Sequence, residues 1–164
     1  MDIYAFLEEH QIPYQRADHP PVFTCEQAMA LVPKDLPGGE TKNLFVKDKK
    51  GRVHFLVVVG YDKSVDLKAL SDILGSPRLS LASPERLQKY LGVEPGSVSL
   101  LGIVNDAESA VEVIMDQAVW NHDALRCHPL VNTATLVIKR EDIERLFQIT
   151  NHKFRVIEVP GRAE

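Results

Sequence analysis

Glu40-Thr41-Lys42-Asn43-Leu44-Phe45-Val46-Lys47-Asp48 is the stretch on which the fold turns. Leu44 and Val46 lie on one side of an alternating run, the mark of a half-buried strand. Phe45 interrupts the alternation, as it would where both faces are covered. Lys49-Lys50-Gly51-Arg52 then turns the chain, and His54-Phe55-Leu56-Val57-Val58-Val59-Gly60 follows as a nearly continuous apolar run. This is a hairpin with one deeply buried arm. Lys42 stands at the start of the first arm, followed by an amide side chain. A lysine in that place is ordinarily a solvated charge. Other clusters in the chain give it a second reading.

Working outward, 164 residues suit a single domain spanning 1–164, long enough to bury a sizeable core. An apolar content of 45% and a charged content of 26% belong to an ordinary soluble globular protein. No run approaches the ~18 apolar residues of a membrane span. Met1-Asp2-Ile3-Tyr4 opens no basic-then-apolar leader, so cytoplasm is the expected location. Cys25 and Cys127 form neither a C-x-x-C pair nor a zinc ligand set, and both read as small buried hydrophobes. The net charge of −4 excludes a protein coated in positive charge for bulk nucleic-acid binding, and DNA is not an expected partner. Locally the balance reverses. Lys34, Lys42, Lys47, Lys49, Lys50 and Arg52 face only Asp35, Glu40 and Asp48. Such a patch is enough to hold one end of an RNA, and it is equally what an exposed hairpin looks like.

The remaining elements follow from caps and periodicity. Asp2 caps a helix carrying Ile3, Phe6 and Leu7, stopped by Pro13, and Tyr14 to His19 reads as a short strand. Thr24-Cys25-Glu26-Gln27 is a capping box opening a short helix through Leu31, ended by Pro33. Asp66 caps a helix that Gly75 stops, and Ser83-Pro84-Glu85 starts another that runs to Gly92, with a brief strand at Arg78–Leu81 between them. Glu94 to Gly102 reads as a loop. Val111–Asp116, Ala134–Ile138 and Phe154–Val159 read as strands, Cys127–Thr133 as a loop and Glu141–Phe147 as a helix. Strands with interspersed helices of unequal length imply a mixed α/β domain rather than a regular doubly wound sheet.

No G-x-G-x-x-G, P-loop, H-E-x-x-H or G-x-S-x-G is present. Three polar clusters remain: Thr41-Lys42-Asn43, Gly96-Ser97-Val98-Ser99 and His128-Pro129-Leu130-Val131-Asn132-Thr133. In order they read Thr-Lys-Asn-Leu-Phe-x-x-Asp, Gly-Ser-Val-Ser-x-Leu-Gly-x-x-Asn-Asp and His-Pro-Leu-x-Asn-Thr-Ala-Thr. On these motifs the chain resembles the YbaK/ProRS-associated (INS-like) editing-domain family, and within it the free-standing prolyl-tRNA editing branch. The resemblance runs over essentially the whole chain.

The resemblance implies a single compact α/β domain with a mixed, largely antiparallel sheet or barrel-like core flanked by helices. It implies hydrolysis of a wrong aminoacyl ester at the acceptor end of tRNA(Pro), alanyl-tRNA(Pro) in this branch, with prolyl-tRNA synthetase as a further candidate partner. No cofactor, metal or membrane is implied. Lys42 matches the family's essential lysine, placed to hold the terminal phosphate or stabilise negative charge on the ester oxygen. Asn43 would give a hydrogen bond to substrate or backbone. Gly96, Ser97, Val98 and Ser99 would bring backbone N–H groups to the aminoacyl group. His128, Pro129 and Leu130 would wall its pocket, with Asn132 and Thr133 as polar contacts. Water would be positioned by backbone groups and the ribose hydroxyl, without a dedicated protein base. Three other readings stay open. The same fold may be read as acting on cysteinyl- or seryl-tRNA, as a non-catalytic tRNA- or synthetase-binding module, or as a small-metabolite binder. Ser97 or Ser99 as a covalent nucleophile lacks a partner base, and His128, Asn132 and Thr133 are also residue types that simply make turns.

Overall fold

Thr41–Lys47 (β2) and His54–Gly60 (β3) form the expected antiparallel hairpin, pairing Lys42 with Val59, Asn43 with Val58 and Phe45 with Leu56. This is seen in a computed structural model that describes residues 2–21, 26–27, 30 and 36–162. Every residue of β3 from His54 to Val59 is buried. The cause is its position at the centre of a sheet covered on both faces. Phe45, Leu56 and Val58 enter the larger core, while Val46, Phe55, Val57 and Val59 enter a second one.

The other described elements, in chain order, are α1 (Ile3–Glu9), β1 (Gln15–Asp18), α2 (Leu67–Leu74), β4 (Ser80–Leu81), α3 (Pro84–Leu91), β5 (Val111–Asp116), α4 (Gln117–Trp120), β6 (Ala124–Cys127), β7 (Ala134–Lys139), α5 (Arg140–Ile149) and β8 (Phe154–Ile157). A five-stranded sheet runs β4-β2-β3-β5-β8, antiparallel through β4, β2 and β3 and parallel from β3 to β8. A three-stranded antiparallel sheet runs β1-β7-β6. The two are joined where Gly39 bridges to Leu125. The mixed α/β architecture is the expected one.

The caps form as the residue types dictate. Asp2 accepts the Tyr4 and Ala5 N–H groups at 3.0 and 3.3 Å, Asp66 accepts that of Ala69 at 3.0 Å, and Ser83 that of Arg86 at 3.3 Å. Gly92 ends α3 at φ +65°, and a Cβ there would sit 2.7 Å from Asn105 Nδ2. Only glycine fits both demands.

Three expectations need correction or restriction. The Glu94–Gly102 loop is two 3₁₀ turns, Pro95–Ser97 and Leu100–Asn105, because Leu100, Leu101 and Ile103 are driven into the core. β6 and α4 carry no sequence signal of their own. Each is four residues long, too short for periodicity, and β6 exists by pairing with β7. Thr24 and Cys25 of the expected capping box, Leu31 and Pro33 at the end of its helix, and Lys34 fall outside the described residues. Among the described residues, no helix is long and apolar enough to cross a membrane.

Behind β5 lies a buried histidine–carboxylate pair. Asp106 caps the second 3₁₀ turn, accepts the Val111 N–H at 2.8 Å and receives His152 Nε2 at 2.9 Å. The other ring nitrogen is 2.8 Å from Thr150 Oγ1, whose hydrogen goes to the Leu146 carbonyl. His152 thus bridges Thr150 and Asp106 through its two ring nitrogens. The pair ties the end of α5 to the start of β5.

Candidate functional site

The approach to Lys42 is bolted to β6 by main-chain and side-chain bonds. Gly39 N–H donates to the Ala124 carbonyl at 2.9 Å, Arg126 N–H donates to the Gly39 carbonyl at 3.1 Å, and Thr41 Oγ1 donates to the Arg126 carbonyl at 2.8 Å. The Arg126 guanidinium reaches Glu40 at 3.0 Å and the carbonyls of Leu36 and Pro37. β6 ends at Cys127, so the same bonds tie the start of β2 to the strand that leads into His128. From a third direction Ser99 donates its hydroxyl to the His128 carbonyl and accepts the Leu101 N–H at 3.2 Å. The three polar clusters read from the sequence thus converge.

Strand alternation separates the two residues of the first cluster. Thr41, Asn43 and Phe45 share a face with Val58 and Leu56, and Lys42 shares the opposite one with Leu44, Val46 and Val59. Lys42 is half-buried, with no hydrogen bond or ion pair to any described residue. β4 covers β2 only at Val46 and Lys47, and the Ala82 N–H closes on the Phe45 carbonyl at 2.8 Å. That bond fixes which peptide groups face outward. In an antiparallel ladder they alternate, so those of Asn43 face the edge beyond the end of β4. The Asn43 amide oxygen is enclosed and has no hydrogen-bond partner among the described residues.

In the second cluster Gly96 is exposed, Ser97 and Val98 are half-buried and Ser99 is fully buried. Burial and both bonds commit the Ser99 hydroxyl to holding the loop. Ser99→Ala is expected to destabilise the fold by about 1–3 kcal/mol, by stranding a buried carbonyl and N–H. Urea denaturation checks this, and a loss below about 0.5 kcal/mol would mean that the loop is held by something else.

In the third cluster His128 is half-buried, Pro129 buried, Leu130 half-buried with φ +68°, Asn132 half-buried and Thr133 exposed. A leucine in the left-handed region is strained, and here it sharpens the turn after Pro129. The His128 ring lies 3.3 Å through Nδ1 from the Ala134 carbonyl, which makes Nδ1 the N–H and leaves Nε2 with its lone pair. Burial pushes the imidazole below the ordinary histidine range. The Ala134 carbonyl opposes this, and neighbouring His19 reinforces it. His128 is thus a neutral acceptor at neutral pH. Cys127 next to it is no nucleophile, since burial pushes its thiol up to about 12.

Two further residues shape the site without a sequence signal of their own. Arg126 looked like any charged strand residue. His19 is bonded to Thr135 Oγ1 at 2.9 Å and to the Pro20 carbonyl at 2.9 Å, and its N–H donates to the Thr133 carbonyl, so β1 pins the His128 loop. Its place just before Pro20-Pro21 was the available clue. The expected basic patch is divided. Lys49, Lys50 and Arg52 sit at the hairpin turn, roughly 20 Å along the strand from Lys42 at ~3.4 Å per residue. Arg86, donating to the Gly51 carbonyl, joins them there. Among the described residues no three His, Cys, Asp or Glu side chains gather as a metal-ligand set.

Residues 19–146 match the model of the aminoacyl-tRNA editing domain. The chain belongs to that family. Among its relatives, the prolyl-tRNA editing protein ProX of Acetoanaerobium sticklandii is 40% identical over 96% of this chain and 95% of its own. A prolyl-tRNA synthetase associated domain-containing protein of Danio rerio is 39% identical over 92% of this chain and 82% of its own. The crystal structure of the hypothetical protein APE2540 has the same fold, with a TM-score of 0.74 at 17% identity over 97% of this chain and 99% of that one. A structure provisionally described as a trans-editing enzyme for prolyl tRNA synthetase gives 0.71 at 18% identity over 99% and 96%. This editing domain is accordingly an aminoacyl-tRNA deacylase, a hydrolase of carboxylic esters.

Proposed function

We infer that the chain is a trans-editing deacylase that frees tRNA(Pro) from alanine. The observation that carries this reading is the convergence of three motif clusters on one open strand edge. There the Lys42 ammonium, without a partner among the described residues, the orphaned Asn43 amide oxygen on the opposite face of β2 and the neutral His128 acceptor stand out among groups that are otherwise satisfied. The full-length likeness to a prolyl-tRNA editing protein supplies the tRNA. The cationic end formed by Lys49, Lys50, Arg52 and Arg86 suits the phosphates of an acceptor stem whose terminal nucleotide lies at Lys42.

Water attacks the ester carbonyl, the ribose oxygen leaves with a proton, and alanine is released from the intact tRNA. His128 Nε2 accepts a hydrogen bond from that water or from the neighbouring ribose hydroxyl. Lys42 meets negative charge on the terminal phosphate or the ester oxygen, and Gly96 to Val98 line the approach with Pro129, Leu130, Asn132 and Thr133. An aminoacyl ester is already activated, so positioning and electrostatics suffice. The biological need is physical too. A synthetase pocket sized for proline rejects smaller alanine only weakly, a missing methylene being worth ~1–3 kcal/mol. A second, smaller pocket excludes proline by overlap.

Deacylation of alanyl-, cysteinyl- and prolyl-tRNA(Pro) tests the reading. Rapid loss of alanine alone is the expected result. Loss of cysteine instead keeps the chemistry and changes the substrate, whereas stability of all three esters removes the enzymatic reading.

The neutral state of His128 gives a pH signature. Its pKa is depressed, so the ring stays neutral as the pH falls to about 6.5, the unperturbed histidine value. Activity is expected to hold level down to that pH on account of this ring and to fall below it. The acid limb should vanish in His128→Gln. A limb of the same midpoint in the variant would assign the proton elsewhere.

A further inference from the structure

Among the described residues, two enclosed side-chain oxygens stand without a conventional hydrogen bond, Asn43 Oδ1 and Asp116 Oδ2. The second is 2.7 Å from the Lys63 ammonium and is satisfied by it. Asn43 alone keeps an unanswered acceptor, on the strand edge that β4 leaves bare. A buried polar atom in that state marks either a defect or a place where something outside the chain brings the missing donor.

The donors nearby are committed. Thr41, on the same face, gives its hydroxyl to the Arg126 carbonyl, Arg126 itself holds Glu40 and the 36–37 carbonyls, and Ser99 gives its hydroxyl to the His128 carbonyl. Lys42 leaves from the other face of the strand. What arrives at this edge must therefore be a donor. An aminoacyl ester offers one strong cationic donor close to the scissile carbonyl, its α-ammonium. The ester carbonyl itself is an acceptor and would be repelled. The carboxylate closest in sequence to this cluster, Glu40, is paired with Arg126 and does not compete for the cation. The Asn43 peptide carbonyl, turned to the same edge by the Ala82–Phe45 bond, gives the ammonium a second acceptor.

We propose that Asn43 is the receptor for the substrate's α-ammonium group. This rests on the deacylase reading and deepens it. The site demands a free amine, so it takes aminoacyl esters and refuses N-acylated ones, including peptidyl-tRNA. A trans-acting hydrolase needs that refusal, since cleaving peptidyl-tRNA would abort translation.

The test uses two stable probes, 3′-amide-linked alanyl-adenosine and its lactyl counterpart, in which hydroxyl replaces the ammonium. Dissociation constants are measured by calorimetry for wild type, Asn43→Ala and Asn43→Asp, with folding checked by circular dichroism. Wild type is expected to prefer the alanyl probe by about tenfold or more, the usual advantage of a charged donor. Asn43→Ala should bring that preference within about threefold, and Asn43→Asp, which keeps an acceptor oxygen, should retain or raise it. An unchanged preference in Asn43→Ala, or equal weakening of both probes, overturns the assignment. The hydrolysis of alanyl-tRNA(Pro), measured alongside, reports separately on the deacylase reading. A wild type that prefers the alanyl probe but cleaves no ester would retain the ammonium site and lose the enzyme.

Discussion

Lys42→Ala is expected to lower kcat/KM for alanyl-tRNA(Pro) by about 100-fold or more, the effect of removing one donor aimed at developing negative charge. The melting temperature should stay within about 2 °C of wild type, because the ammonium contacts no described residue and surface substitutions of that kind are nearly neutral. Both halves of the expectation matter. A structural lysine would lose stability along with activity, whereas this one should lose activity alone. Its stem leaves the face opposite Asn43, so in the proposed reading the two residues would meet the acceptor end from either side of one strand. The kinetic split identifies the contact. A fall in kcat with unchanged KM places the ammonium on the ester oxygen in the transition state, and a rise in KM alone places it on the terminal phosphate. Lys42→Arg keeps the charge and should recover part of the loss. Activity of Lys42→Ala within tenfold of wild type would remove the lysine from the site.

The second large effect is on stability. Asp106→Ala is expected to cost about 3–5 kcal/mol, because it strands two buried donors, the His152 ring N–H and the Val111 N–H, at about 1–3 kcal/mol each. Against a typical total of about 5–15 kcal/mol this is severe. At this chain length it corresponds to a fall in melting temperature of roughly 6–20 °C. The carboxylate answers both the His152 ring and the Val111 N–H, and all three groups are buried. A double-mutant cycle gives the sharper measurement. Once Asp106 is alanine, His152→Ala should cost far less than it does alone, because the bond between them is already lost. Strict additivity of the two losses would show that the two side chains are not coupled.

The parts of this protein that depend on near neighbours were legible without coordinates. The hairpin follows from alternation in Leu44–Val46 and from the apolar run after His54. The caps at Asp2, Asp66 and Ser83 follow from oxygen side chains placed before helical periodicity, and the glycine stop at Gly92 from the one residue that tolerates φ +65°. The order of the three polar clusters, and hence the family, needed only their spelling. β6 was not legible, because four residues whose reason to be extended lies in β7 and Gly39 carry no pattern.

What the linear chain settled on its own was therefore composition, local geometry and the candidate residues themselves. Tertiary structure decided which of them meet and what each is free to do. Thr41 finds the Arg126 carbonyl across 85 positions, Ser99 finds that of His128 across 29, and His19 finds Thr135 across 116. Those contacts enclose Ser99, pin the His128 loop and tie the start of β2 to β6. Periodicity and capping act over a few residues. Burial, charge state and an unanswered hydrogen bond are properties of what surrounds a group in space, and only folding brings that surrounding into being.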